Sequence, residues 1–335
     1  MHLRTLFAAM GLACTSLLPA LVSAQTSPQT GAQAYPSRAI QFIVPSTPGT
    51  TGDQLARLLG PRLSQRWGVP VLVDNKVGAG GAIGFEAAAK AAPDGYTYLF
   101  SATAFSTLPA LRAKLPYDPV KSFSSVLLLG ASPLALVVSN GVPAKTAREL
   151  VAYVKAQQPG KLNYASPGVG SVHHLTMEMF KQHTGMFITH IPYKGTGGAL
   201  TDLAAGHVEA SIVTLQTALP LVQSGKMRML AVTGARRSAQ VPNVPTLAEA
   251  GYPQVVSQAW FGIAAPFDTP PAVLAKMNAE INALLALPEV RTALAAMGVD
   301  AVGGKPEQLD TLVRSELAMW AQIVKTGGIT ADLIQ

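Results

Sequence analysis

Cysteine is almost missing from this 335-residue chain: it has one, Cys14, inside an N-terminal apolar stretch. One thiol builds neither a disulfide framework nor a thiolate zinc site. Charge is also scarce, with Asp, Glu, Lys and Arg at 13%. The net charge of +7 is spread thinly, and Arg236-Arg237 is the one adjacent basic pair. Without a basic stripe interleaved with aromatics, nucleic acid is excluded as a partner, although a dispersed positive field still draws anionic solutes. The motifs of common enzyme classes are missing too. There is no Walker A loop and no G-x-S-x-G elbow. Gly78-Ala79-Gly80-Gly81-Ala82-Ile83 begins like a dinucleotide fingerprint but has Ile83 where the third glycine belongs. The pair His173-His174 lacks further ligands at metal spacing and reads as satisfied or exposed histidines on different sides of a helix. The sequence therefore predicts no cofactor, no metal and no catalysis.

The one long hydrophobic run is Leu6 to Val22, preceded by His2 and Arg4 and followed by the small residues Val22-Ser23-Ala24. That order predicts a cleaved signal peptide over residues 1–24, a mature start near Gln25 and a periplasmic location. A signal anchor is the alternative, but Gly11, Ser16 and Pro19 break the run. A lipid anchor on Cys14 is another, with Gly11 standing where a leucine is normally wanted. Residues 25–35 read as a flexible leader. No later stretch is long and apolar enough to span a bilayer, which predicts a soluble mature protein.

From residue 36 one pattern recurs: a short β-branched strand, a small-residue loop, an amphipathic helix. Strands are predicted at Ile40–Val44, Val71–Val73, Tyr96–Phe100, Asn163–Ala165, Ile188–Ile191, Ala210–Thr214 and Met229–Thr233. Two apolar strands, Ser125–Leu129 and Leu134–Ser139, show little alternation, as expected for burial on both faces. The repetition predicts a largely parallel α/β sheet built twice. The C-terminal part reads as helical, with the stripe Val273, Met277, Ile281 and Leu284 after Pro270-Pro271. A second stripe, Leu309, Val313, Leu317, Trp320 and Val324, follows Pro306.

In open α/β sheets ligands sit outside the carboxyl ends of strands. Here five such ends are followed by loops rich in Ser, Thr and Gly that open helices. Free backbone N–H groups at a helix start suit a carboxylate, and glycine lets the backbone approach it.

Several separated segments together carry a family resemblance. They are Tyr35-Pro36-Ser37-Arg38, Pro48-Gly49 with Asp53 and Ala56-Arg57, Asp94-Gly95-Tyr96-Thr97, and Leu115-Pro116-Tyr117-Asp118-Pro119. Further along come Asn163-Tyr164-Ala165-Ser166 with Gly168, Gly170 and His174, then Pro192-Tyr193-Lys194-Gly195. Pro245-Thr246 with Glu249-Ala250-Gly251, and Ala259-Trp260-Phe261-Gly262, complete the set. From about Tyr35 to Gly328 the chain resembles the periplasmic solute receptors of tripartite tricarboxylate transporters, the Bug receptors. The resemblance implies a two-lobed, periplasmic-binding-protein-like α/β fold with a ligand cleft between the lobes. The first lobe would be residues 36–138 plus about 258–320. The second would be 139–257, with the C-terminal helix as an optional addition.

The resemblance further implies a small carboxylate-bearing solute, a two-component integral membrane permease as partner, and a monomer. Carried over residue by residue, the ligand-binding set is Ser46, Thr47, Gly49, Thr50, Thr51, Ser101, Thr103, Ser166, Gly168, Gly170, Ser171, Tyr193 and Thr214. Asp53 is expected as a helix N-cap and loop organiser, and Tyr193 and Lys194 as either loop braces or contacts. Many members place a cleft-facing Asp where this chain has Val213, which argues against an amino-acid ligand. Two other readings remain: a secreted α/β hydrolase using Ser171 or Ser101, and a ligand sensor acting on a membrane signalling protein.

Overall fold

A computed structural model describes residues 35–112 and 114–330. The signal peptide and all but the last residue of the leader lie outside the described residues. The elements, in chain order, are β1 (Ile40–Val44), α1 (Thr51–Trp67), β2 (Val71–Asn75), α2 (Ala82–Ala89), β3 (Thr97–Ala102) and α3 (Ala104–Leu111). They continue with β4 (Phe123–Ser139), α4 (Ala147–Lys155), β5 (Asn163–Ser166), α5 (Val172–Thr184), β6 (Thr189–Pro192), α6 (Thr196–Ala205) and β7 (Ala210–Thr214). The last are α7 (Leu215–Gln223), β8 (Met227–Val232), β9 (Gln258–Pro266), α8 (Pro271–Leu285), α9 (Pro288–Ala296), β10 (Asp300–Ala301) and α10 (Pro306–Gly327). A 3-10 turn, Ala79–Gly81, precedes α2.

Two sheets result, each with a parallel core. In the first, β1 pairs in parallel with β2 and β3. In the second, β5 pairs in parallel with β6 and β7. Antiparallel strands join them: β9 lies against β3 and β4, and β4 continues into the second sheet against β7 and β8. The sheets are therefore mixed rather than largely parallel. The two apolar strands expected around 125–139 are one strand of 17 residues. Its partner changes between Pro133, still opposite Gln258, and Leu134, opposite Thr214. Strand β9 had no counterpart in the sequence reading, because a buried run such as Trp260-Phe261-Gly262-Ile263 has no alternation to detect.

Each sheet is covered on both faces, giving the two-lobed α/β architecture. One face of the first sheet packs Phe42, Tyr98 and Ile263 on α1 and α8 through Leu55, Leu59, Met277 and Ile281. Its other face packs Leu99, Trp260 and Ala264 with Phe85, Phe105 and Leu309. In the second lobe Leu136, Tyr164 and Ile212 meet α4 and α5 through Leu150, Leu175 and Phe180. The opposite face carries Val137, Ala165 and Val213 against Leu200, Leu203 and Ala218 of α6 and α7. The period-2 alternation of β7 sends Ile212 to one layer and Val213 to the other.

Helix α10 links the lobes. Leu309 and Val313 belong to a first-lobe core, whereas Trp320, Ile323 and Val324 belong to a second-lobe core. Between them Glu316 is buried at 6% exposure. Its Oε2 accepts from Ser106 Oγ of α3, from Trp260 Nε1 of β9 at 2.8 Å and from Trp320 Nε1 at 3.3 Å. Burial pushes this carboxyl up from its ordinary value, and the three donors partly offset the shift. Among the described residues no helix is long and apolar enough to cross a membrane.

Candidate functional site between the lobes

Strand β5 ends at Ser166, and the chain must turn sharply before α5 begins at Val172. Glycines at positive φ make the turn: Gly168 at 151° and Gly170 at 76°. The turn is tied down from three sides. Ser171, the N-cap of α5, accepts from the His174 N–H at 3.2 Å and donates to Gly168 O at 2.8 Å. Ser166 Oγ lies 2.7 Å from His190 Nε2 and accepts from the Gly168 N–H at 3.2 Å. The Gly170 N–H donates to His174 Nδ1 at 3.1 Å. That bond makes Nδ1 an acceptor and leaves the ring proton on Nε2, 4.0 Å from Glu178.

Beneath the turn lies a polar stack. The rings of His174 and His190 are parallel, with centroids 3.9 Å apart, and Tyr164 stacks on His190 at 4.8 Å. Glu178 closes the network by accepting from Tyr164 Oη and Lys181 Nζ, both at 2.6 Å. Burial holds His174 down at about 4 and His190 at about 3, and Lys181 adds to both shifts. Both imidazoles are therefore neutral at neutral pH, as the acceptor role of His174 requires.

Helix α3 lines a cleft of about 380 Å³ that it shares with this turn, from Ala104 at its start to Leu111 at its end, the latter lying against Gly170. The first lobe contributes Gly80, Ala102–Ala104, Thr107, Leu108 and Leu111; the second contributes residues 167–173; β9 closes the space with Ala259 and Phe261. Two helices from opposite lobes thus begin at one cavity. Its walls are mainly apolar, and no Lys or Arg is among the described residues lining it.

Four of the thirteen residues expected at the site line this cleft: Thr103, Gly168, Gly170 and Ser171. Thr103 is also fixed by β9, because its Oγ1 accepts from the Trp260 N–H at 3.0 Å. The others lie outside the cleft wall. Ser46, Thr47, Gly49, Thr50 and Thr51 form the turn into α1, held by Ser46 Oγ to Thr50 Oγ1 at 2.7 Å and Thr50 Oγ1 to Thr47 O at 2.9 Å. Ser166 sits under the α5 turn. Tyr193 braces that turn from behind, its N–H donating to Ser166 O at 2.9 Å and its hydroxyl to Asp202 at 2.6 Å. Thr214 is the N-cap of α7 and pairs with Thr217 at 2.9 Å. Ser101 faces a separate small void of about 20 Å³, beside Phe105, Phe123 and Leu309.

Three expectations need correcting. The N-cap of α1 is Thr50, not Asp53. Asp53 does organise the loop: it sits in the first helical turn, accepting from the Gly49 N–H at 2.8 Å, Arg57 at 2.9 Å and Asn75 at 3.0 Å. Val213 does not face the cleft. It is fully buried against α6 and α7, so it gives no ground for excluding an amino-acid ligand. Finally, His173 and His174 do lie on different sides of the helix, but His173 is neither satisfied nor exposed at its ring nitrogens. His174 is bonded inside the lobe, whereas His173 lines the cleft and both its ring nitrogens lack a partner. Sequence reasoning also missed Gly80, Thr107, Leu108, Leu111, Ala259 and Phe261 as wall residues. Only the start of α3 after Ser101-Ala102-Thr103 signalled any of them.

Comparison with known proteins agrees with the fold. Residues 55–329 match the model of the tripartite tricarboxylate transporter family receptor. Protein BugT of Bordetella pertussis is 38% identical over 331 residues, covering 98% of this chain and 99% of that one. Among solved structures, R. palustris Rpa4515 with adipate is 35% identical with a TM-score of 0.76, covering 88% of this chain and 99% of its own. MatC from Rhodopseudomonas palustris, with bound malate, is 32% identical with a TM-score of 0.71, covering 87% and 100%. With a two-lobed α/β fold, an inter-lobe cleft and these matches over most of its length, the chain belongs to the family of tripartite tricarboxylate transporter receptors, the Bug-type periplasmic solute-binding proteins.

Proposed function

We propose that this receptor captures a small carboxylate-bearing solute between its lobes, performs no chemistry on it, and delivers it to a two-component membrane permease. The observation that carries the reading is the convergence of α3 and α5, from opposite lobes, on one cavity. The first N–H groups of a helix have no intrahelical acceptor, and the helix dipole places partial positive charge there. Two such ends on the wall of one cavity supply anion donors without the desolvation cost of a buried Lys or Arg. The apolar walls from Leu108, Leu111, Val172 and Phe261 suit the carbon skeleton of the solute. The adipate and malate seen in the two solved relatives belong to the same chemical class.

In this reading the protein acts in the periplasm as a monomer, after cleavage near Gln25; the intact mass of periplasmic protein tests the start site. The boundary between lobes falls inside β4 near Pro133, a few residues before 138, with α10 shared. Solute binding then favours closure about β4 and β9. Ser46–Thr51, Tyr193 and Thr214 shape the loops around the cleft.

A thermal-shift panel of adipate, malate, glutarate, glutamate and benzoate tests the proposal. A carboxylate present at 100 times its Kd should add about 2.7 kcal/mol of stability. A flat response across the panel, repeated by calorimetry, would refute carboxylate capture.

A further inference from the structure

The cleft runs along one face of α3. Ala104, Thr107, Leu108 and Leu111 all line it, and residues three, four and seven apart share one broad stripe of a helix. From Ala104 to Leu111 that stripe is about 10 Å long, at about 1.5 Å per residue. The gap between the lobes closes at Leu111. A Cβ on Gly170 of the second lobe would stand 2.3 Å from Leu111 Cδ1, so the leucine methyl already rests on the glycine backbone. Leu111 is only 6% exposed and belongs, with Val172 at the start of α5, to the second-lobe core. It is a first-lobe side chain seated in the second lobe. Leu108, one turn earlier, lies instead toward Gly80 of its own lobe, where a Cβ would stand 3.4 Å from Leu108 Cδ1. One leucine flanks the cleft and the other ends it.

Resting on carboxylate capture as proposed above, we propose that Leu111 is a specificity-determining residue: its side chain is the end wall of the cleft and sets the longest solute that fits. Among the described residues no Lys, Arg, Asp or Glu lines the cleft, so no charged side chain competes with this steric control. An apolar end wall offers the far end of a solute no hydrogen bond. Excess length is therefore penalised twice, by overlap with a packed side chain and by desolvation of a terminal polar group. An extended chain advances about 1.2 Å per bond. On that scale adipate spans about 6 Å between its carboxyl carbons and suberate about 8 Å, with the terminal oxygens adding to each. The series from succinate to suberate thus brackets the length of the α3 stripe. Truncating Leu111 to alanine joins the lost side-chain volume to the cleft and moves the wall back by about two carbon–carbon bonds. The longest accepted solute should then gain about two methylene groups.

The test titrates the full mature chain by calorimetry with succinate, glutarate, adipate, pimelate and suberate. Wild-type affinity should fall off sharply at one chain length, since a methylene too many in an apolar pocket costs about tenfold or more. In Leu111→Ala the fall-off should move to longer acids, and the Kd ratio of suberate to glutarate should drop by about tenfold or more. Leu111→Met, close to leucine in volume, should keep the wild-type cut-off. Leu108→Ala removes the same atoms from the side wall and, whatever it costs in affinity, should leave the cut-off in place. A merely structural role for Leu111 would weaken every acid alike. Equal losses across the series in Leu111→Ala, or the same shift in Leu108→Ala, overturns the inference and leaves carboxylate capture standing. The same holds if wild-type affinity ignores chain length, or if benzoate binds while the whole series does not. Should Leu111→Ala fail to fold, Leu111→Val carries the comparison with a smaller shift. If wild-type protein binds no carboxylate at all, carboxylate capture fails and this inference falls with it.

Discussion

At the scale of single residues, neighbours in sequence have opposite fates. His173 and His174 are adjacent on α5, yet one faces the cleft and the other faces a second-lobe network, because successive helix residues are about 100° apart. Gly170 shows how tightly the cleft wall is built. Its φ of 76° lies in the left-handed region, and a Cβ there would stand 2.3 Å from Leu111 Cδ1 of α3. The strain of a left-handed L-residue alone is about 1–2 kcal/mol. Leu111 can yield because the clash is with the far end of a flexible side chain, but it would yield across the inter-lobe contact. Gly170→Ala is therefore expected to lower stability by about that amount and to weaken solute binding more than tenfold. Urea denaturation and titration calorimetry measure the two effects. Wild-type affinity in the variant would show that the turn is only a connection.

At the scale of elements, α10 carries the most revealing departure from its pattern. The expected apolar stripe is present at Leu309, Val313, Trp320 and Val324, but Glu316 lies on the same buried face. Three donors from α3, β9 and α10 itself converge on one of its oxygens. The acid therefore joins the helix that spans the lobes to the element that opens onto the cleft. Since the shared oxygen only accepts, a glutamine can replace it with its carbonyl, whereas leucine leaves the two buried indole donors unsatisfied, Ser106 Oγ having Thr103 O at 2.9 Å as another acceptor. Each such donor costs about 1–3 kcal/mol. Glu316→Leu should thus lose at least about 2 kcal/mol in urea titration, and Glu316→Gln should stay within about 1 kcal/mol of wild type. The raised carboxyl value implies that ionising Glu316 opposes folding, so any gain from Glu316→Gln should grow as pH rises from 5 to 8. Equal losses in both variants would show that charge, not acceptance, holds the joint.

At the scale of the whole molecule, histidine protonation is expected to weaken the fold first as pH falls. His173, His174 and His190 have folded-state values near 4, 4 and 3, below the ordinary value of 6.5. Between 6.5 and 4 the unfolded chain binds more protons, so this contribution is intact above 6.5 and is lost as pH falls through about 4. The slope has an upper bound of about 1.4 kcal/mol per pH unit for each histidine. Glu316 acts in the opposite sense, and the depressed carboxyls Asp53 and Asp118 contribute only in the carboxylate range below. Urea midpoints are expected to fall from pH 7 to pH 5, before carboxylates protonate. His190→Gln, which keeps a polar group beside Ser166, should fall less steeply. Identical slopes for the two proteins would mean that the buried stack does not govern acid stability.

Much of this was legible in the sequence because it is local. Strand-loop-helix alternation, the glycines of the α5 turn, the Ser171 cap and the apolar stripes of α8 and α10 are all set by neighbours within a few positions. Those features determined an α/β protein with anion-competent helix starts, and the ordered family segments pointed to a solute receptor. What the chain could not show locally depends on pairings between distant residues. Strands β4 and β9 are buried on both faces and lack any periodic signal, so only their mutual pairing revealed a continuous strand crossing from one sheet to the other. Packing of distant elements also set Ser101 beside a small void and Thr103 on the cleft wall, two residues apart. The face chosen by Val213, the acid at 316 and the unpartnered ring of His173 were decided in the same way. Whether a buried side chain is packed, paired or left open is settled by atoms that arrive from elsewhere in the chain.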